Sequence, residues 1–107
     1  MSPRVVIRPS ADAELDEISR YIAVDSLRAA ERLLIAATEA FAALAEMPGM
    51  GRRWEYPRPG FEDVRVSHVP RFRNYMIFYR PIRGGIEELH VFHGARDIPS
   101  LLAADAD

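Results

Sequence analysis

Two histidines three residues apart, followed at once by a glycine, an arginine and an aspartate, mark the stretch where this chain's residue types bear most directly on chemistry. It runs Glu87-Glu88-Leu89-His90-Val91-Phe92-His93-Gly94-Ala95-Arg96-Asp97. A histidine titrates near neutrality and can give or take a proton, and an arginine can hold an anion through its two-pronged guanidinium. As a metal pair the histidines are badly spaced, because residues three apart on a strand point to opposite faces. Each also has a plain structural reading, as a strand-end side chain with one backbone hydrogen bond. Arg96 and Asp97 read as a local ion pair that fixes the turn. No metal and no other cofactor is expected, and the lack of cysteine excludes disulfides, zinc ribbons and thiol catalysis together.

A second group is basic. From Pro48 to Arg83 there are eight arginines against three acids, while the segments on either side are acidic, and the whole chain carries a net charge of -2. All fourteen basic residues are arginine, so no lysine is present to serve as a phosphate-binding point charge or a Schiff base. Arg65, Arg71, Arg73, Arg80 and Arg83 fall in or between what read as neighbouring strands, with Arg96 beyond them. Like charges gathered on one sheet face cost stability unless something acidic answers them. An acidic peptide or a phosphate backbone would do so, as would ordinary ion pairs with Glu62, Asp63, Glu87 and Glu88 along a solvated edge. Trp54 and Tyr56, in a basic loop, could stack on a base, or close as an aromatic lid over the end of a helical hairpin.

The elements that must position these residues are legible in the apolar pattern. Val5-Val6-Ile7 is a β-branched run closed by Pro9, a short first strand. Ser10 stands where an N-cap would, with Asp12 and Glu14 in the first turn, and Ala11, Leu15, Ile18 and Ile22 recur at helical spacing, which predicts a helix ending near Ala23 or Val24. Asp25 and Ser26 offer a second N-cap, for a helix whose buried stripe is Ala30, Leu33, Leu34, Ala37, Phe41, Leu44 and Ala45, stopped by Met47-Pro48-Gly49. Gly49 to Gly60 reads as a loop. Three β-rich runs follow, Asp63 to Val69, Asn74 to Arg80 and Ile86 to His93, and connections this short imply an antiparallel meander. In the middle run both parities are apolar, as befits a central strand, and the half-polar first run is expected at an edge. Ile98 to Ala104 reads as one helical turn.

The 107 residues suit one domain that buries roughly 65% of its unfolded surface. The start is apolar for only three residues, too few for a signal-peptide core or a membrane span, so no targeting segment or membrane contact is expected and the location expected is cytoplasmic.

Taken in order, the strand, the Ser-Ala-x-Ala-Glu-Leu-Asp-Glu-Ile-x-x-Tyr-Ile-Ala helix, the Ala-Ala-Glu-Arg helix, Leu-Ala-Glu-Met-Pro-Gly-Met-Gly-Arg, Val-Arg-Val, Tyr-Met-Ile-Phe-Tyr and His-Gly-Ala-Arg-Asp resemble the ParE toxins of the RelE/ParE superfamily. These are the toxic halves of bacterial toxin-antitoxin pairs, also described as plasmid stabilisation proteins. The resemblance runs from about Val5 to Leu102. It implies an α+β fold, with the helical hairpin packed on one face of an antiparallel sheet. It also implies a ParD-like antitoxin whose C-terminal segment wraps the toxin in a hetero-oligomer, and because this chain reads as locally basic and apolar, that segment is expected to be acidic and amphipathic. The superfamily divides at its target. ParE-like members act on DNA gyrase, whereas RelE-like members cleave messenger RNA on the ribosome using arginine, lysine and a tyrosine near the chain end.

Here lysine is absent and no aromatic residue follows Phe92, so the RelE-type terminal tyrosine has no match. Cleavage would have to draw on Arg65, Arg80, His90 and His93 for its base, acid and phosphate contacts. The expectation is therefore a gyrase inhibitor without a catalytic cycle, docking through Arg65, Arg71, Arg73, Arg80, Arg83 and Arg96. A ribosome-dependent, metal-independent endoribonuclease and a non-toxic interaction module of the same fold stand as alternatives.

Overall fold

The computed structural model describes residues 2–94. The chain runs β1 (Arg4–Ile7), α1 (Pro9–Asp25), α2 (Leu27–Glu46), β2 (Arg52–Arg53), β3 (Arg65–Val69), β4 (Phe72–Ile82) and β5 (Gly85–His93). The expected α+β order is present, and β3, β4 and β5 form the antiparallel meander with β4 in the middle. Two strands complete the sheet in ways the pattern did not specify. β1 lies parallel beside β5, and the two-residue β2 pairs with Arg65 and Val66, giving a mixed five-stranded order β1-β5-β4-β3-β2. The half-polar β3 is thus second from the edge over those two residues. The expected loop of 49–60 contains the edge strand instead, because Arg52 and Arg53 extend alongside β3 after the glycine turn.

Both helices lie on one face. Leu33, Ala36, Ala37, Ala40, Phe41, Leu44 and Ala45 of α2 close over Ile77, Tyr79, Ile86 and Val91, with Leu15, Ile18 and Ile22 of α1 packed alongside. The many small residues let α2 approach the sheet closely. Leu34, expected in the buried stripe, is 38% exposed, since it falls at the margin of the face that Leu33 and Ala37 define. The opposite face has its own core, in which Tyr56, Val64, Val66, Met76, Phe78, Leu89 and Phe92 are covered by Trp54 and Phe61. Trp54 meets Phe78 edge-on at 5.3 Å. The aromatic lid therefore exists but covers the sheet face away from the helices, because the 54–63 segment crosses behind β3 and not over the hairpin.

Helix ends follow local chemistry. Pro9 opens α1, where its missing N–H costs nothing, and Arg8 takes the N-cap position. Ser10, expected as the cap, instead donates its hydroxyl to the carbonyl of Leu89 at 2.9 Å. Ser26 caps α2 by accepting from the Ala29 N–H at 3.1 Å. At its far end α2 turns into β2 around a buried latch. The Tyr79 hydroxyl donates to the Pro48 carbonyl at 2.8 Å and accepts from the Gly51 N–H at 2.9 Å, and Arg65 donates to the carbonyls of Gly49 and Gly51. A Cβ on Gly51 would lie 2.6 Å from the Tyr79 hydroxyl oxygen and 2.9 Å from the Val66 carbonyl oxygen, so only glycine fits there. Tyr79→Phe should leave two backbone groups without this partner and lower stability by about 1–3 kcal/mol, read by urea denaturation, with the secondary structure unchanged by circular dichroism.

Candidate interaction site

β1 ends at Ile7, opposite Glu88, and leaves the last five residues of β5 without a neighbouring strand on that side. The first turns of α1 take over. The Arg8 N–H donates to the Glu88 carbonyl at 3.1 Å, Ser10 to the Leu89 carbonyl, and the Glu14 carboxylate accepts the Val91 N–H at 3.1 Å. The same carboxylate lies 2.9 and 3.0 Å from His90 Nδ1, which must carry the hydrogen, since an ionised carboxylate only accepts. Adjacent carbonyls can both face this edge because the register slips by one residue. Phe78 pairs with His90 and Tyr79 with Glu88, so Leu89 is an extra residue in a β-bulge.

Beside this junction lies a groove of about 370 Å³ between α1 and the sheet, lined by Glu14, Glu17, Ile18, Tyr21, Tyr75, Val91 and His93. Val91 belongs to the helix-side core, and His93 meets Tyr75 edge-on at 5.1 Å. His90 shares a parity with Phe92 and stacks on it at 4.7 Å, toward the other core. The two histidines are thus split between faces, and His90 is nearly fully buried. His68, on β3, places its Nδ1 2.7 Å from the Arg73 carbonyl oxygen.

The arginines expected to form one docking face are dispersed. Arg65 pairs in register with Tyr79 on the helix side, holds Asp63 at 3.2 Å and secures the 49–51 turn. Arg80, one residue on, points to the other face, where it donates to Glu87 at 2.7 Å and lies over the Phe61 ring at 4.1 Å. Arg71 and Arg73 are exposed at the start of β4, and Arg83 is exposed past its end. Eleven extended residues separate those ends by roughly 30 Å. Arg65 and Arg80 therefore serve as internal ties on opposite faces. Arg96, Asp97 and the turn expected over Ile98 to Ala104 lie outside the described residues. Among the described residues no group of three or more His, Cys, Asp or Glu is placed to hold a metal, and no helix is long and apolar enough to cross a membrane.

The family model described as ParE toxin of type II toxin-antitoxin system, parDE, matches residues 5–98. The chain belongs to this ParE toxin family. A cognate antitoxin partner follows from that membership, in keeping with the earlier resemblance. No curated protein matches the chain.

In this ParE family member, Tyr75, Tyr21, Glu14 and Glu17 line the groove but were not among the candidates read from the sequence. Tyr75 shares its strand parity with Ile77 and Tyr79, a signal that places it on the helix face beside His93. Nothing local announces Glu14, whose partner His90 is 76 positions away. Glu88 was also misread as a solvated partner for arginine. It is fully buried and lies opposite Tyr79 on the helix side, and among the described residues neither carboxylate oxygen has a hydrogen-bond partner. Burial in apolar surroundings raises its pKa from 4.5 to about 8. The unfolded chain then gives up this proton before the folded one does. The stabilising contribution is complete below about pH 4.5 and falls away as pH rises toward 8. Stability should drop by several kcal/mol between pH 5 and 8, and Glu88→Leu should flatten that profile and raise stability at pH 8, as measured by denaturant titration at each pH.

Proposed function

We propose that this chain is the toxic component of a type II toxin-antitoxin pair that inhibits DNA gyrase by binding it, and that a ParD-like antitoxin with an acidic, amphipathic C-terminal segment neutralises it. Membership of the ParE toxin family supports the toxin role. The observation that favours a binding protein over a nuclease is the dispersal of the four residues cleavage would need. Cutting RNA beside a 2′-hydroxyl requires a base, an acid and a cation converging within hydrogen-bond reach of one phosphate. Arg65 and Arg80 point to opposite faces and each is already tied to a carboxylate, while His90 is buried against Glu14 and His93 lies on the other side of β5. An inhibitor that acts by occupying a site on its target needs none of that convergence. Its requirement is a rigid scaffold presenting exposed side chains such as Arg71, Arg73 and Arg83, with Arg96 beyond the described residues as a further contact.

One arrangement favours the second reading, ribosome-dependent cleavage of messenger RNA. His93, Tyr75 and Glu17 share an open groove and include a group able to move a proton. Purified protein should block gyrase supercoiling or trap cleaved DNA, and should leave ribosome-bound messenger intact. Intact gyrase activity with cut messenger, abolished by His93→Ala, would replace the first reading with the second.

A further inference from the structure

A second groove, between α2 and the β3–β4 turn, has a volume of about 470 Å³ and is lined by Arg32, Ile35, Ala36 and Glu39 from the helix and Pro70, Arg71 and Phe72 from the turn. Its walls are mixed, apolar at Ile35, Ala36, Pro70 and Phe72 and charged at Arg32, Glu39 and Arg71. Ile35 is 59% exposed although it is among the largest apolar side chains of α2, so an apolar surface stands open beside the groove. Arg32 and Arg71 are both exposed, and neither guanidinium has a hydrogen bond or ion pair with any described residue. That sets them apart from Arg53, Arg65 and Arg80, each of which is paired with a carboxylate.

Arg71 carries a second, independent signal. Its φ is +69°, the left-handed region, where it is the one non-glycine residue among those described. Glycine or asparagine would relieve such a turn position, and an arginine there costs stability on the order of 1 kcal/mol. A strained backbone that presents a guanidinium with no hydrogen bond or ion pair to any described residue suits a side chain used between molecules. Guanidinium groups next to an apolar trough fit a carboxylate set beside an apolar side chain. Glu39 belongs to the same groove, seven residues and about 10 Å along α2 from Arg32. It disfavours a second carboxylate at its end and so gives the occupant a direction.

We propose that this groove docks the acidic, amphipathic segment of the antitoxin, with one apolar side chain seated against Ile35 and Phe72 and a carboxylate held by Arg32 and Arg71. The inference rests on the toxin reading above and adds the surface and the residues that recognise the partner.

The test uses the full chain and the protein encoded by the adjoining reading frame of the same operon, mixed in a calorimetric titration. Arg32→Glu with Arg71→Glu should weaken binding about 100-fold or more, since each charge-assisted contact is worth about tenfold or more. Arg20→Glu, an exposed charge on α1 outside the groove, should bind as wild type. Arg71→Gly separates recognition from structure, because it relaxes the left-handed residue. It should melt at the same or a higher temperature and still bind about tenfold more weakly. Wild-type affinity in the double charge reversal overturns the groove while leaving the toxin reading intact. Failure of the wild-type chain to bind the neighbouring protein at all overturns the reading on which the groove depends. Loss of affinity for duplex DNA and not for that protein would assign the groove to phosphate and likewise overturn the proposal.

Discussion

The structure depends on how the free edge of β5 is closed. A four-residue β1 pairs with only the first part of a nine-residue β5, and unpaired backbone groups near a core are costly unless something replaces the missing strand. Arg8, Ser10 and Glu14 do so from the first two turns of α1, through one backbone N–H, one hydroxyl and one carboxylate. The Leu89 bulge is what turns consecutive β5 carbonyls toward them. Because these bonds tie α1 to β5, they also set where the hairpin sits on the sheet. The register of α1 in turn fixes the groove that contains His93 and Tyr75, and α2 follows through its packing on the same face.

This closure accounts for the histidines. The bulge shifts the parity of β5, so that Ile86, Glu88, Val91 and His93 lie on the helix side while Leu89, His90 and Phe92 lie on the other. His90 is consumed by the Glu14 contact, and its role is to orient the helix. Arg65 and Arg80 are consumed likewise, one by the turn after α2 and one by Glu87 and Phe61. The polar residues that look most chemical in the sequence thus hold the scaffold together. Arg32, Arg71, Arg73 and Arg83 are among the charges that remain exposed on this scaffold.

Much of the architecture was legible because apolar periodicity reports burial directly. The α2 stripe from Ala30 to Ala45, the two-sided β4 and the Ser26 cap all express local chemistry with one solution each. The parallel placement of β1 and the two-residue β2 were not legible, since both depend on contacts between distant segments. Gly85 hints at the first: a Cβ there would collide with the backbone of Arg4, but a glycine beside a turn reads equally well as part of the turn. Ser10 as a cap failed because Pro9 opens the helix one residue earlier and frees the hydroxyl for the sheet. Glu88 was misread for a related reason. In sequence it is indistinguishable from Glu87, and only the bulge and the β1 register turn one outward to Arg80 and the other inward beneath the helices.

If α1 side chains replace the missing strand, the most direct measurement is hydrogen exchange at the Val91 amide in wild type and in Glu14→Ala. The wild-type amide should be protected to nearly the level of its β4 partner Ile77, and the substitution should speed its exchange at least tenfold while Ile77 stays protected. Unchanged protection of Val91 in Glu14→Ala would mean that the β5 edge is closed by other means, and would contradict the account.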